Sequence, residues 1–253
     1  MSDDYNRRDF LAAASAGAAL ALLSPETLAT AKAEPEATPF PSAFAPLHQP
    51  KPLPFDPAKL DGISEKLIRS HWENNYGGAV KALNAVKERL AELARDPELP
   101  AYFYADVKRE QLLRTGSVVL HDLYFANLGG HDKPNAEVGK ALTEAFGSAE
   151  AWEKEFRRIG AGLSGGSGWV VLALNLHTGL LENHWQWDHQ HAPSASLPIL
   201  VMDLYEHAYQ MDYGAAAAKY IDAFFRNIRW EAVAERLDKA RRVRALWSAE
   251  ASR

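Results

Sequence analysis

A chain of 253 residues with 47% hydrophobic side chains can bury a substantial core in one or two domains. Its net charge of -5 leaves no basic surplus for a nucleic-acid partner. Cysteine is absent, which excludes disulfides, thiolate zinc sites and cysteine nucleophiles together.

Residues 1–33 read as an export signal rather than as part of the fold. Asn6-Arg7-Arg8-Asp9-Phe10-Leu11 precedes an Ala/Leu-rich run from Leu11 to Leu23, and Ala29-Thr30-Ala31 and Ala31-Lys32-Ala33 offer small-residue cleavage sites. This is the layout of a twin-arginine signal, which places the mature protein in the periplasm or otherwise outside the cytoplasm. The apolar run is about thirteen residues, too short for stable insertion as a membrane-spanning helix. Residues 34–57 hold eight prolines and predict an extended, mostly unstructured lead-in.

Ile63, Leu67, Val80, Leu83, Val86, Leu90 and Leu93 recur at helical spacing and predict a helix over roughly Gly62 to Arg95. Gly77 and Gly78 each cost helix stability of roughly 1 kcal/mol, which predicts a break or close backbone packing within it. A second long helix, about Tyr104 to Asn127, is expected to bury Leu112, Leu113, Val119, Leu120, Leu123, Tyr124 and Phe125 around His121. Leu128-Gly129-Gly130 ends it. Two amphipathic helices follow near Asn135–Phe146 and Ala149–Leu163, the latter with Ser148 as its N-cap.

The hydrophobic period then changes. Gly165-Gly166-Ser167-Gly168 leads into a buried strand, Trp169 to Leu174. A turn at His177-Thr178-Gly179 leads into a second, Leu180 to Trp187, and Leu197 to Met202 reads as a third. Helices return at about Gly214–Asn227 and Trp230–Leu246. The fold class is α+β. A long N-terminal helical hairpin over 58–131 precedes a C-terminal domain over 132–253, with a small three-stranded antiparallel sheet and surrounding helices.

The chemistry gathers at Asp203-Leu204-Tyr205-Glu206-His207. A carboxylate and an imidazole four positions apart fall on one face of a helical turn and can reach one point. That donor pair suits iron, manganese or zinc. By itself such a pair is common on surface helices. Apolar residues on both sides, Leu197 to Met202 and then Ala208, Tyr209, Met211 and Tyr213, predict burial, and a buried carboxylate needs a partner. Of nine histidines, His71, His121 and His207 lie in helical, partly apolar stretches. With Asp203 they suggest a four-ligand site.

The order His71, His121, Asp203-x-x-x-His207 resembles the iron/manganese superoxide dismutases. The likeness runs from Lys51-Pro52-Leu53-Pro54-Phe55 through Gly166-Ser167-Gly168-Trp169, Pro198-Ile199-Leu200 and Glu206-His207-Ala208-Tyr209. Tyr220-Ile221-Asp222-Ala223-Phe224 and Ile228-Arg229-Trp230 complete it, over roughly residues 51–247. The resemblance implies one Fe or Mn ion per subunit, held by His71, His121, Asp203 and His207 with a solvent molecule as fifth ligand. Superoxide would be the substrate, dioxygen and hydrogen peroxide the products, and the assembly a homodimer or tetramer. It also implies that Glu206 orients the last histidine ligand across a subunit interface. Trp169, Phe125 and Tyr205 would stand around the metal pocket.

Some positions depart from the family. The gating histidine and tyrosine, four and eight residues after the first ligand, read Asn75 and Ala79. Tyr76 offers a phenol three residues out of register. The interface tyrosine three residues after the last ligand reads Gln210, so Asn75 and Gln210 would face each other as amides. For the group that bonds the metal's solvent, iron-type members use a position that here is Ser117. Within Gln186–His191 the alignment favours His189, so iron and manganese both stay open. The departures keep two other readings alive, a dismutase-fold metalloprotein with altered or weak redox activity and a noncatalytic metal-binding protein of the cell envelope. A two-histidine, one-carboxylate oxygenase matches the donor types but not the third histidine or the strand pattern.

Overall fold

The computed structural model describes residues 40–131 and 133–250, so the export signal expected over 1–33 lies outside the described residues. From residue 40 onward the proline-rich lead-in, expected to be extended and mostly unstructured, has little regular structure but is anchored by hydrogen bonds. His48 N donates to Asn84 Oδ1 at 3.1 Å, Asn84 Nδ2 returns a bond to His48 O at 2.9 Å, and Trp72 Nε1 donates to Lys51 O at 2.9 Å. Prolines remove backbone donors, and side chains of the first helix supply partners for the groups that remain.

Ser64 caps α1 (Glu65–Ser70) by accepting from Leu67 N. The helix passes through a π-helical turn, His71–Tyr76, into α2 (Gly77–Leu93). A break or close backbone packing was expected at Asn74–Gly78; the helix instead widens there, and a Cβ at Gly78 would meet nothing within 4 Å. A π-turn holds about one residue more than an α-turn, so it rotates everything after it by about 100° about the axis. The hairpin returns through α3 (Ala101–Ala126). The face expected to be buried along this helix is only partly so: Leu112 and Val119 are 54% and 47% exposed. Burial in α3 begins at Ser117, because its first half reaches past the core.

Asn135 and Ser148 cap α4 (Ala136–Phe146) and α5 (Ala149–Leu163). The sheet holds β1 (Gly168–Asn175), β2 (Leu181–Trp187) and β3 (Ser196–Asp203) in the order β2-β1-β3, both pairings antiparallel. Strand β1 is central and covered on both faces, which explains its unbroken apolar run. The β1/β3 register slips between Leu172 and Ala173, opposite Pro198, which cannot donate to a ladder. A one-turn 3₁₀ helix, Glu206–Ala208, then leads into α6 (Gln210–Tyr213), α7 (Ala217–Arg226) and α8 (Trp230–Glu250). The α+β expectation is met: helices first, then a three-stranded antiparallel sheet among further helices.

A buried polar knot fixes the hairpin to the sheet. Asn127 Nδ2 donates to Val201 O at 2.5 Å, and Arg229 N donates to Asn127 O at 2.6 Å. The Arg236 guanidinium donates to Asn127 Oδ1, to Ile199 O at 3.1 Å and to Leu123 O at 3.2 Å. Burial, with Arg229 nearby, lowers Arg236 to about 10, so it stays charged. These bonds lock the end of α3 to β3 and thereby set His121 against Asp203.

Candidate metal centre

Four side chains converge between the hairpin and the sheet. His71 opens the π-turn, His121 lies on α3, Asp203 is the last residue of β3, and His207 sits in the one-turn 3₁₀ helix. The sequence expectation that Asp203 and His207 share a helical turn is corrected here. The carboxylate leaves a strand end, and the chain must bend to bring the imidazole back. Tyr205 N donates to Asp203 Oδ1 at 2.8 Å and fixes that bend.

One ligand atom from each residue lies within 4.8 Å of all the others. Asp203 Oδ2 stands 3.2 Å from Nε2 of His71, 3.2 Å from Nε2 of His207 and 3.7 Å from Nε2 of His121. His71, His121 and Asp203 are each at most 1% exposed, and His207 is half-buried. His121 Nδ1 donates to Ser117 O at 2.7 Å, and since a carbonyl only accepts, the proton is on Nδ1. That leaves the Nε2 lone pair of His121 free to bind an ion. His121 Nε2 and both ring nitrogens of His71 are buried without a hydrogen-bond partner.

The electrostatics agree with this donor set. Burial pushes the Asp203 carboxyl up, but His207, through its charge and its hydrogen bond, and the nearby His71 outweigh it and hold it well below the usual range. Burial lowers His71, and burial together with His71 lowers His121 to about 3. One carboxylate anion with the neutral imidazoles of His71 and His121 beside it is a donor set for iron, manganese or zinc. The orphaned buried nitrogens fit a metal as their missing partner.

Aromatic rings wall the centre. Tyr124 and Phe125 stand 5.3 and 5.0 Å from His71, Trp169 stands 5.1 Å from His121, and Tyr205 stacks on His207 at 5.1 Å. His189 is brought to this wall as well. Its ring stacks on Tyr205 at 4.6 Å and lies 6.0 Å from His121, and Trp169 Nε1 donates to its Nδ1 at 3.1 Å. Asn75, Glu206, His207 and Gln210 share an open cleft with Ser70 and Met211.

Tyr76 is placed differently from the expectation. Its hydroxyl donates to Asp122 and accepts from Lys51 N at 2.8 Å, and Lys51 Nζ pairs with Asp122 at 2.5 Å. The phenol is thus committed to Asp122 and Lys51 rather than to any of the four converging residues. Ala79 faces the core, 3% exposed, and does not line the cleft. Sequence reasoning missed Asp188, which accepts from the Tyr205 hydroxyl at 2.9 Å. It also missed Gly116, whose only signal was a glycine in mid-helix.

The family profile for iron/manganese superoxide dismutases, C-terminal domain, matches residues 134–236. The chain is 48% identical over 194 residues to a superoxide dismutase (Fe) of Cupriavidus metallidurans, covering 77% of this chain and 98% of the relative. It is 35% identical to a superoxide dismutase (Fe) of Aquifex aeolicus, covering 73% of this chain and 88% of the relative. A superoxide dismutase (Mn) of Haloferax volcanii is 34% identical, covering 75% and 94% respectively. Fold, buried donors and relatives lead to one conclusion: the chain belongs to the iron/manganese superoxide dismutases.

Proposed function

We propose that the protein converts superoxide to dioxygen and hydrogen peroxide at one iron or manganese ion per subunit, held by His71, His121, Asp203 and His207. The observation that carries this reading is the convergence of those four donors, with His121 Nδ1 bonded to Ser117 O and its Nε2 left free. When bound, the ion supplies one-electron chemistry, taking an electron from one superoxide and giving one to another. The chain's own residues do the rest. Asp203 balances cationic charge, the imidazoles complete the donor set, and the aromatic wall limits water. His189, protonated on Nε2, offers a hydrogen-bond donor toward the ion's solvent.

Peroxide formation consumes protons, whereas dioxygen release does not. Asn75 has no titratable group in the physiological range, Ala79 lies in the core, and the Tyr76 hydroxyl is occupied by Asp122 and Lys51. Dismutation should therefore be slower than with a histidine and tyrosine in the cleft, limited in the peroxide-forming half. Pulse radiolysis on iron-loaded and manganese-loaded protein follows each half separately. No dismutation with either ion would overturn the reading in favour of an altered redox activity. Stoichiometric zinc in protein made with ample iron and manganese would count against it too.

The cleft around Asn75, Glu206 and Gln210 supports a homodimer, with Glu206 reaching His207 of a second copy. Arg7-Arg8-x-Phe10-Leu11 supports twin-arginine export to the periplasm. Among the described residues no helix is long and apolar enough to cross a membrane. Replacing both arginines by lysine should leave folded precursor in the cytoplasm; undiminished export would point to another route.

A further inference from the structure

His189 reaches the centre from a loop, and particular contacts hold that loop. Gly116 lies inside α3, where glycine costs about 1 kcal/mol relative to alanine. A Cβ there would overlap the carbonyl oxygen of His189 and stand 2.9 Å from its carbonyl carbon. A Cβ at Gly139 or Gly162, also in helices, would meet nothing within 4 Å. The His189 backbone therefore lies directly against α3 at Gly116, five residues before His121.

Asp188 gathers the other side. It adopts φ 60°, a left-handed conformation that aspartate tolerates better than most residues. Its Oδ1 accepts from His189 N at 2.6 Å and from the Tyr205 hydroxyl at 2.9 Å, and its Oδ2 accepts from Gln190 Nε2 at 3.1 Å. Tyr205 lies between the ligands Asp203 and His207 in sequence. The loop is thus tied to the turn bearing those ligands on one side and pressed on α3 on the other.

We propose that Gly116 and Asp188 are positioning residues that set how the His189 imidazole faces the metal centre. The proposal rests on reading His189 as the donor toward the ion's solvent. A methyl at 116 must push the loop away from α3. A shift of about 1 Å is the scale at which a displaced group loses much of its catalytic effect. Loss of the Asp188 carboxylate frees the same loop without adding volume.

The experiment compares G116A, D188A, D188N, H189A and G139A as metal-loaded protein. It reads amide hydrogen exchange across residues 186–191 and the midpoint potential of the bound ion. G116A and D188A should exchange about tenfold faster across that loop and shift the potential in the direction that H189A does. D188N keeps an acceptor and tolerates the backbone angle, so it should restore both readouts. G139A should change neither. The double variant G116A/H189A should show the potential of H189A alone, because Gly116 acts through His189. If H189A itself leaves the potential unmoved, the reading of His189 as donor is overturned. If H189A moves it while G116A and D188A do not, the positioning role is overturned and the donor reading stands. Should G116A fail to fold, the contrast between D188A and D188N decides the matter.

Discussion

The indole of Trp169 donates to His189 Nδ1 at 3.1 Å. An indole nitrogen only donates, so the bond selects the tautomer of His189 that carries its proton on Nε2. W169F removes the donor and should give a mixture of tautomers, visible as averaged ¹⁵N imidazole shifts in metal-free protein. A His189 spectrum identical to that of the parent would reject the tautomer lock.

The metal-free protein should lose stability in acid in a defined window. Burial lowers His71, and it lowers His121 from 6.5 to about 3, so the unfolded chain binds more protons than the folded one below pH 6.5. Stability from these neutral histidines is full above pH 6.5 and is lost as pH falls toward about 3. Asp203 is shifted below its ordinary 3.8, so its contribution is present above 3.8 and lost only below that. Calorimetry of metal-free protein from pH 8 to pH 4 should show a falling Tm that starts near the histidine value. A flat profile between pH 6.5 and pH 4 would contradict the buried neutral imidazoles. Metal release should follow the same direction, since protons compete for the ligand nitrogens.

Ala79→Tyr, which would restore a phenol eight residues after the first ligand, should fail to place it in the cleft. Ala79 is 3% exposed in the core, and the π-turn has rotated this part of the helix. The larger ring should destabilise by about 1–3 kcal/mol through overpacking, seen as a lower Tm without a faster peroxide-forming half-reaction. Asn75→His, at a half-buried position in the open cleft, should be tolerated and should raise that half-rate.

This contrast shows what the sequence could and could not carry. Asp203 was legible because it ends an apolar run, and burial of such a group demands partners; His71, His121 and His207 were legible from their partly apolar helical stretches and from the order that the family resemblance supplies. The three strands were legible from their change of period. The π-turn was not, because Asn74-Asn75-Tyr76-Gly77-Gly78 suits a break as well as a widened turn, and only tertiary packing decides between them. The exposed Leu112 and Val119 were misread because helical periodicity cannot say where the core ends. Gly116 meets the His189 backbone from a distant segment, and Asp188 bonds its own loop and the Tyr205 hydroxyl, contacts that residue type alone does not encode.

Glu206 is exposed beside His207 at the mouth of the cleft. If it meets His207 of a second copy, Glu206→Ala should shift sedimentation toward monomer and weaken metal retention by about tenfold, since such partners orient ligand imidazoles. A variant that stays dimeric with unchanged metal affinity would remove Glu206 from the interface.

The four donors come from segments as distant as residues 71 and 207, and they meet only where the hairpin docks on the sheet. A chelated ion therefore adds stability to the docked state alone and opposes separation of the two halves. Loading becomes the last event of folding rather than its nucleus, because distant segments must close first. Under the proposed twin-arginine export, which carries folded proteins, the ion would be chosen before departure. The occupant of the site would then record the relative abundance of iron and manganese where the protein is made, and not where it works.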